Sequence, residues 1–383
     1  MMRSYAHPGL AEPRTKTEWR GYRDHKAPAR PVMPPYETFL ALPKNKREVL
    51  NDARHDFHSA LAIIRTAQML RLHSLMERRM HLNAHQPPGA RRGIVVDGPP
   101  TVGKSTLVKM FAADFERRLL RKYPERFDDG YEKDGMVIDY TPVVYINVPA
   151  GATPKDMSVL LADYLGLPYR AGATKTEITK NVLAVMRTVG VELVIIDDVH
   201  FLDVSQREGK IVNDHLKYLA NHTAATFIYT GVDLKRSGLF LEGQGASTRA
   251  TQTSARNTLH QMTKFTISTK QGKQEWAGAI MALESVLALY QHKQGQLTRL
   301  SRYLFDRTGG SICGLSDLLR EGAIEAVMSG EEAITRRLLE RIDLSEHAET
   351  AYRQTRRTRT GGNRPHRGPR QADQPSAVNN EDG

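Results

Sequence analysis

A glycine-containing segment that begins at residue 98 carries the residue types that bind phosphate. Residues 98–105 match the pattern G-x-x-x-x-G-K-[ST], after an apolar run at residues 94–96 and before a stretch that predicts a helix. In this context backbone N–H groups and a helix N-terminus surround a triphosphate, a lysine binds its outer phosphates, and a hydroxyl binds Mg²⁺. We therefore expect ATP to be held by a run of nine residues: Gly98, Pro99, Pro100, Thr101, Val102, Gly103, Lys104, Ser105 and Thr106.

Two adjacent carboxylates, Asp197 and Asp198, end a second apolar run at residues 193–196. An unbroken apolar run is typical of a central parallel strand that is buried on both faces. Taken alone, it also fits an ordinary buried strand with an acidic end. In ATPases with a phosphate-binding loop, one acid holds Mg²⁺ and a neighbouring acid orients or deprotonates the attacking water. We predict that Asp197 and Ser105 bind the metal, and that Asp198 acts in catalysis beside Lys104.

The composition limits the classes of protein to which the chain can belong. Its 383 residues are enough for one large α/β core and a smaller domain, and no apolar run is long enough to span a bilayer. The single cysteine, Cys313, excludes an internal disulfide and a cysteine-based zinc site, so we expect a cytoplasmic protein. The net charge of +12 predicts an anionic polymer as partner, although excess charge also serves solubility.

Changes in composition divide the chain into five predicted regions. Proline and basic residues are frequent at the start, and the final region has seven arginines between residues 353 and 370 with no intervening acid. Both terminal regions are predicted to be extended or disordered. The regions are a basic arm over residues 1–44, a helical segment over 45–90, a nucleotide-binding core over 91–272, a helical lid over 273–344 and an arginine-rich tail over 345–383.

Strands and helices are predicted to alternate through the core. The predicted strands lie at residues 94–96, 142–149, 193–198, 225–230 and 264–267, with helices at 154–165 and 176–189 between them. Alternation of this kind predicts a mainly parallel sheet with helices on both faces. A polar segment at residues 238–261 is predicted to be a mobile loop. Four helices are predicted for the lid, at residues 276–290, 297–305, 315–328 and 331–342.

The order of these parts resembles that of the AAA+ ATPases. The resemblance covers residues 45–343 and rests on the loop, the Asp197–His200 run, the strand that ends at Thr230 and Gly231, and the lid. The strand at residues 143–149, followed by Pro154 and a leucine-rich helix, is similar to the corresponding segment of the transposition ATPases of the TniB/TnsC/IstB type. This resemblance implies an α/β P-loop NTPase with a three-layer αβα core, a parallel sheet, an N-terminal helical segment and a C-terminal helical lid.

The resemblance also implies roles for residues outside the two motifs. Thr230 corresponds to the sensor residue that contacts the γ-phosphate or its water. Asn147 corresponds to the polar residue that restrains the catalytic acid until a partner binds. Arg256 is the best match for an arginine finger that reaches the neighbouring subunit's nucleotide, and Arg249 is the second candidate.

The chain departs from the family pattern at two places. Most AAA+ proteins have glutamate where this chain has Asp198, so hydrolysis is expected to be slow or dependent on a partner or DNA. The second sensor arginine of the family would fall near residues 312–314, where none occurs, and neither Arg302 nor Arg320 is a convincing substitute. His200 is similar to the histidine of some helicase motifs, but there is no second nucleotide-binding domain, so a polar structural contact is the preferred interpretation.

Three functions remain open on this reading. The first is an ATPase that assembles as a ring or filament on double-stranded DNA, through its arm and tail, and regulates target selection by a partner transposase or integrase. The second is a regulatory module that binds ATP as a switch with negligible turnover. The third is a remodelling ATPase of the replication-loader or defence type. DNA-stimulated ATP hydrolysis that depends on Asp198 would separate the first from the second.

Overall fold

A computed structural model describes residues 12–60, 63–199, 207–234, 257–344, 349–350 and 352–353, and only the backbone of residues 207–210. In chain order the strands are β1 (Gly93–Asp97), β2 (Glu132–Lys133), β3 (Met136–Val137), β4 (Val143–Asn147), β5 (Leu193–Asp197), β6 (Thr226–Gly231) and β7 (Asn257–Gln261). Strands β2 and β3 form a small antiparallel hairpin. The other five form one parallel sheet in the order β4-β5-β6-β1-β7.

Helices flank the sheet and form the regions of the chain before and after it. They are α1 (Lys16–Asp24), α2 (Tyr36–Ala41), α3 (Lys44–Ser59), α4 (Ala67–Ala84), α5 (Lys104–Lys122), α6 (Pro154–Leu165), α7 (Lys175–Thr188), α8 (Arg207–Asn221), α9 (Lys270–Ser285), α10 (Gln296–Arg299), α11 (Ser301–Thr308), α12 (Ile312–Met328) and α13 (Arg336–Leu339). The predicted three-layer αβα fold with a parallel sheet is confirmed. Within the described ranges, no helix combines the length and apolar character that crossing a bilayer requires.

The three central strands of the sheet are buried because helices cover both of its faces. Every residue of β1, β5 and β6 is buried, which accounts for their unbroken apolar runs. Pairing places Asn147 beside Asp197 and Asp97 beside Gly231, so the polar ends of four strands lie along one edge. In a parallel sheet this carboxyl edge is where ligands bind.

The last strand does not lie where the sequence pattern predicted it. The prediction of a strand at residues 264–267 is wrong, because β7 is Asn257–Gln261 and pairs with β1. Strand β7 is an edge strand whose residues are only half-buried or exposed, so it lacks an apolar pattern. Phe265 and Ile267 are apolar for another reason, since they pack against the hydrophobic cluster of the lid.

The prediction of an extended arm over residues 1–44 is wrong for α1 and α2. Helix α1 begins with a capping box, in which the Thr15 hydroxyl accepts from the Glu18 N–H and the Glu18 carboxylate accepts from the Thr15 N–H. Trp19 is 1% exposed and packs into the core cluster, where its indole N–H donates to Glu116. Burial of this large side chain outweighs the prolines on either side. Residues 1–11 lie outside the described part of the chain.

The helical lid has its own hydrophobic cluster, centred on α9, α11 and α12. Helix boundaries differ from the predicted ones where side-chain caps set them. The Thr269 hydroxyl begins α9 by accepting from the Gly272 N–H at 3.0 Å, and Thr335 begins the short α13 in the same way. The predicted helix over residues 331–342 is therefore only one turn long. The region boundaries proposed from composition stay predictions.

Candidate functional site

The phosphate-binding loop connects β1 to α5 at the carboxyl edge of the sheet. Gly103 has φ of 89°, a conformation that favours glycine, and it precedes the first turn of α5. A side chain at Gly98 would bring its Cβ to 2.3 Å from the Met262 carbonyl oxygen, so only glycine fits there. Asp97 fixes the start of the loop, because its carboxylate accepts from the Gly98 N–H at 2.8 Å and the Leu234 N–H at 3.1 Å.

Lys104 lies in the first turn of α5 and is buried except for 7% of its surface. Its ammonium donates to the carbonyl oxygens of Gly98 and Pro99, both at 2.9 Å. Burial lowers the pKa of Lys104, while nearby carboxylates, with Asp198 and Asp197 foremost, act in the opposite direction. The structure therefore places a partly desolvated cation against the loop, where the charges of Asp197 and Asp198 act on it.

Asp197 is fully buried and receives hydrogen bonds at both carboxylate oxygens. Its Oδ1 accepts from the Thr230 hydroxyl and, at 3.1 Å, from the Asp198 N–H. Its Oδ2 accepts from the Tyr145 hydroxyl at 2.8 Å. Burial, followed by the charges of Asp197 and Glu12, raises the pKa of Tyr145 far above its usual value, so the hydroxyl stays a donor. These contacts fix the orientation of the carboxylate.

Asp198 has an unusual backbone conformation for a residue with a side chain. Its φ is 60°, in the left-handed region that costs a non-glycine residue free energy. The Asn147 amide donates to Asp198 Oδ2 at 3.3 Å, across the register of β4 and β5. The side chain is half-buried. The turn after β5 therefore directs the second acid toward Asn147, the residue predicted to restrain it.

The structure thus brings together five of the residues that the sequence singled out: Lys104, Asn147, Asp197, Asp198 and Thr230. Ser105 and Thr106 lie in the first turn of α5, beside Lys104, and are half-buried. The two arginine-finger candidates, Arg249 and Arg256, lie outside the described residues, as do His200 and most of the predicted mobile loop. The catalytic and binding roles of all these residues stay predictions.

The lid meets the phosphate-binding loop at the start of α12. The Ser311 hydroxyl donates to the Thr101 carbonyl oxygen at 2.9 Å, and Thr101 itself has φ of 64°. Both candidates for the second sensor arginine form ion pairs within their own helices of the lid. Arg302 pairs with Asp306 at 3.1 Å and Arg320 lies 3.8 Å from Asp317.

A cavity of about 90 Å³ adjoins the loop on the side of the lid. Its walls come from five separate segments: the start of α4, the loop, the connector after β7, helix α9 and the start of α12. They include Gln68, Val102, Phe265 and Ile312. Gln68 also connects the start of α4 to the end of β7, since its amide donates to the Gln261 carbonyl oxygen at 3.2 Å. No spacing in the sequence indicates this cavity, because tertiary folding alone brings the segments together.

The comparisons with known proteins agree with this geometry. Residues 59–247 match the family model described as the bacterial TniB protein. Over these residues, just under half of the chain, the protein is similar to the TniB family. No curated protein gives a significant sequence match.

Two solved structures share the fold of this TniB-like chain. The Orc1 protein of Aeropyrum pernix, in complex with DNA, is 14% identical with a TM-score of 0.50, over 81% of this chain and 71% of that one. The Orc2 protein of the same organism, in ADPNP and ADP complexes, is 14% identical with a TM-score of 0.51, over 73% of this chain and 68% of that one. At this identity the likeness shows the architecture alone.

The donor set of the TniB-like site fits Mg²⁺. Mg²⁺ prefers oxygen ligands and is often held by one or two side chains together with phosphate oxygens and water. Asp197 offers a buried carboxylate, and the Ser105 hydroxyl lies in the turn that begins α5. Among the described residues, no three His, Cys, Asp or Glu side chains are grouped to hold a metal by themselves.

Proposed function

We propose that this TniB-like protein binds ATP with Mg²⁺ and hydrolyses it slowly, under the control of a partner. The observation that carries the proposal is the convergence of Lys104, Asp197, Asp198 and Thr230 around the phosphate-binding loop. Loop N–H groups and Lys104 hold the triphosphate, and the ammonium exchanges its two carbonyl contacts for phosphate oxygens. Asp197 and Ser105 hold the cation, which neutralises charge on the transferred phosphoryl group. The cavity beside Val102 accommodates part of the nucleoside.

Calorimetry of ATP binding tests this first step. We expect magnesium-dependent binding by the wild-type protein and at least a tenfold weaker affinity for Lys104→Ala, because that variant loses a charge-assisted contact of about 1.5–3 kcal/mol. Lys122→Ala is the matched control, since Lys122 lies on the same helix but in its last turn, at the end away from the loop. Equal affinities for the wild-type protein and Lys104→Ala would contradict the proposal.

Hydrolysis is assigned to water activated by Asp198, with Thr230 contacting the γ-phosphate or that water. Restraint of Asp198 by Asn147 supports low basal turnover. It also supports a second candidate function, in which ATP acts as a binding switch without appreciable hydrolysis. A DNA-stimulated ATPase rate that Asp198→Asn abolishes supports the first function. A rate that DNA leaves unchanged and that Asp198→Asn does not lower supports the switch.

We further propose that the protein assembles on double-stranded DNA and regulates target selection by a transposase or integrase. The family match, the net charge of +12 and the arginine-rich tail support this step. ATP is expected to close subunit interfaces through Arg256, with Arg249 as the second candidate. Electron microscopy with duplex DNA tests assembly. We expect rings or filaments with a non-hydrolysable ATP analogue and their loss with ADP, whereas equal assembly in both states would contradict control by ATP.

A further inference from the structure

Tyr145 lies between two carboxylates at the carboxyl edge of the sheet. Its hydroxyl is 2.8 Å from Asp197 Oδ2 and also contacts Glu12 Oε1. Glu12 belongs to the segment before α1, far from Asp197 in sequence. Its other carboxylate oxygen accepts from the Lys109 ammonium at 2.8 Å. The segment that precedes α1 therefore reaches the predicted metal ligand through a single side chain.

The Tyr145 hydroxyl has one hydrogen and two carboxylates to receive it. It can donate to Asp197 or to Glu12 at any moment, but not to both. The other oxygen of each carboxylate already accepts hydrogen bonds. That of Asp197 accepts from the Thr230 hydroxyl and the Asp198 N–H, and that of Glu12 accepts from the Lys109 ammonium. The hydroxyl is therefore shared, and its preference depends on which carboxylate carries more negative charge.

We propose that Glu12 and Tyr145 are positioning residues for Asp197, and that they couple the N-terminal segment to occupancy of the metal site. The inference rests on the proposed function. When Asp197 shares its charge with a divalent cation, its Oδ2 becomes the weaker acceptor and the hydroxyl turns to Glu12. Attachment of the segment then strengthens. By thermodynamic reciprocity, an attached Glu12 frees Asp197 Oδ2 and strengthens cation binding by the same factor.

Further contacts show that Tyr145 also supports α1 directly. The Trp19 ring stacks on the Tyr145 ring, with centroids 5.9 Å apart and planes at 16°. The Lys109 ammonium lies 5.5 Å from the centre of the Tyr145 ring and 5.6 Å from that of Tyr22. The Tyr145 hydroxyl therefore changes its hydrogen-bond acceptor within the surface against which α1 packs.

The same N-terminal region contacts the lid at its other end. Arg54 of α3 forms a buried ion pair with Glu332, and its Nε donates to the Ala288 carbonyl oxygen at 3.0 Å. Between α1 and α2, Arg30 donates to the Leu287 carbonyl oxygen at 2.9 Å. Residues 12–60 thus join the edge of the sheet that holds Asp197 to the lid, and the proposed coupling extends along this segment.

The first test measures how the binding of a fluorescent ATP analogue depends on Mg²⁺ concentration. Glu12→Gln is expected to raise the Mg²⁺ concentration at half-maximal binding about fivefold or more. The substitution should have no effect when made in a Tyr145→Phe background, because the hydroxyl that connects the two residues is gone. Glu18→Gln is the matched control and should leave the Mg²⁺ dependence unchanged, because glutamine also completes the capping box of α1.

A second readout reports the attachment of α1 without measuring hydrolysis. Trypsin cleavage after Lys16 and Arg20 requires α1 to leave the core. We expect ATP with Mg²⁺ to slow this cleavage in the wild-type protein and to have no effect on it in Tyr145→Phe. Equal protection in the two proteins would overturn the inference, as would a Glu12→Gln effect that persists in the Tyr145→Phe background.

The two proposals fail in distinguishable ways. Wild-type protein that binds no ATP in the presence of Mg²⁺ contradicts the proposed function. Wild-type protein that binds ATP with the same Mg²⁺ dependence as Glu12→Gln contradicts only the coupling through Tyr145.

Discussion

At the scale of single residues, Asp198 shows how the backbone and a neighbour together restrain a carboxylate. The turn after β5 holds the residue at a positive φ, and the Asn147 amide is 3.3 Å from one of its oxygens. Glutamate at this position would reach one methylene further. Because aspartate is shorter, its carboxylate must come closer to the attacking water in order to act on it. Release of Asp198 from Asn147 is therefore expected to matter for catalysis.

Removal of the Asn147 amide is expected to release this restraint. Asn147→Ala should raise basal ATP hydrolysis about threefold to tenfold, because this hydrogen bond is long, at 3.3 Å, and is expected to contribute no more than an ordinary one, about 0.5–1.5 kcal/mol. Steady-state phosphate release without DNA measures the change. Asp198→Asn provides the control and should lower the rate by at least a hundredfold, the usual range for loss of a general base. Slower hydrolysis in Asn147→Ala would show that the amide assists catalysis.

His58 makes stability depend on pH. Its Nε2 accepts from the Ala288 N–H at 3.0 Å, and burial, followed by the charge of Arg54, lowers the pKa of His58 from 6.5 to about 4. The folded state therefore favours the neutral ring. Because the unfolded chain takes up a proton first, this contribution is lost as pH falls from 6.5 toward 4 and is worth on the order of 3 kcal/mol.

Urea unfolding at pH 7 and at pH 4.5 measures this contribution. The His58→Gln variant keeps an acceptor for the Ala288 N–H but does not titrate in this range. We expect its free energy of unfolding to fall less on acidification than that of the wild-type protein. Identical losses in the two proteins would assign the acid sensitivity to other groups, with His215 the first candidate because its pKa is also lowered to about 4.

At the scale of elements, the contact between α3 and the lid includes one buried ion pair. The Arg54 side chain is fully buried and that of Glu332 is 4% exposed. The guanidinium also lies 5.1 Å from the centre of the Tyr290 ring. Removal of one member leaves a buried charge without its partner, which typically costs about 3–5 kcal/mol.

Substitution of one or both members tests the importance of that pair. Arg54→Met is expected to destabilise the protein by about 3–5 kcal/mol in chemical denaturation. The double variant Arg54→Met with Glu332→Leu should recover much of this loss, because neither buried charge remains. If the single variant lost less than about 1 kcal/mol, the pair would behave as an exposed surface pair.

The sequence predicted the elements that carry strong local patterns. The apolar runs before Asp97 and Asp197 identified β1 and β5, and the predicted neighbourhood of Lys104, Asp197 and Thr230 agrees with the geometry. Strand β7 could not be predicted, because an edge strand needs no apolar alternation. The role of Tyr145 was missed because it depends on register: only pairing of β4 with β5 brings its hydroxyl to Asp197. Helix α1 had a signal, the Thr15 and Glu18 capping box, which the surrounding prolines outweighed.

At the scale of the whole molecule, the two basic termini are not expected to contribute equally to DNA binding. In the described part of the arm, four basic residues contact the protein itself: Lys16, Arg20, Arg23 and Arg30. These ion pairs and hydrogen bonds help to attach the N-terminal segment. We therefore expect the arginine-rich tail to supply more of the phosphate contacts than the arm does.

The salt dependence of duplex binding measures these contacts. Replacement of Arg356, Arg357 and Arg359 by glutamine should reduce the slope of log affinity against log salt concentration by about 0.9 for each lost phosphate contact. Arg14→Gln with Lys26→Gln is the comparison in the arm and should change the slope less. Affinity of the wild-type protein that does not vary with salt would remove DNA from the proposed function.

Helix α12 connects the phosphate-binding loop to the outer part of the lid. Its first turn is attached to Thr101 through Ser311, and its 17 residues span about 25 Å. A tilt of roughly 10° at the attached end would displace the far end by about 4 Å over that length. A small rotation of the helix at the loop would therefore produce a larger displacement at the outer end of the lid.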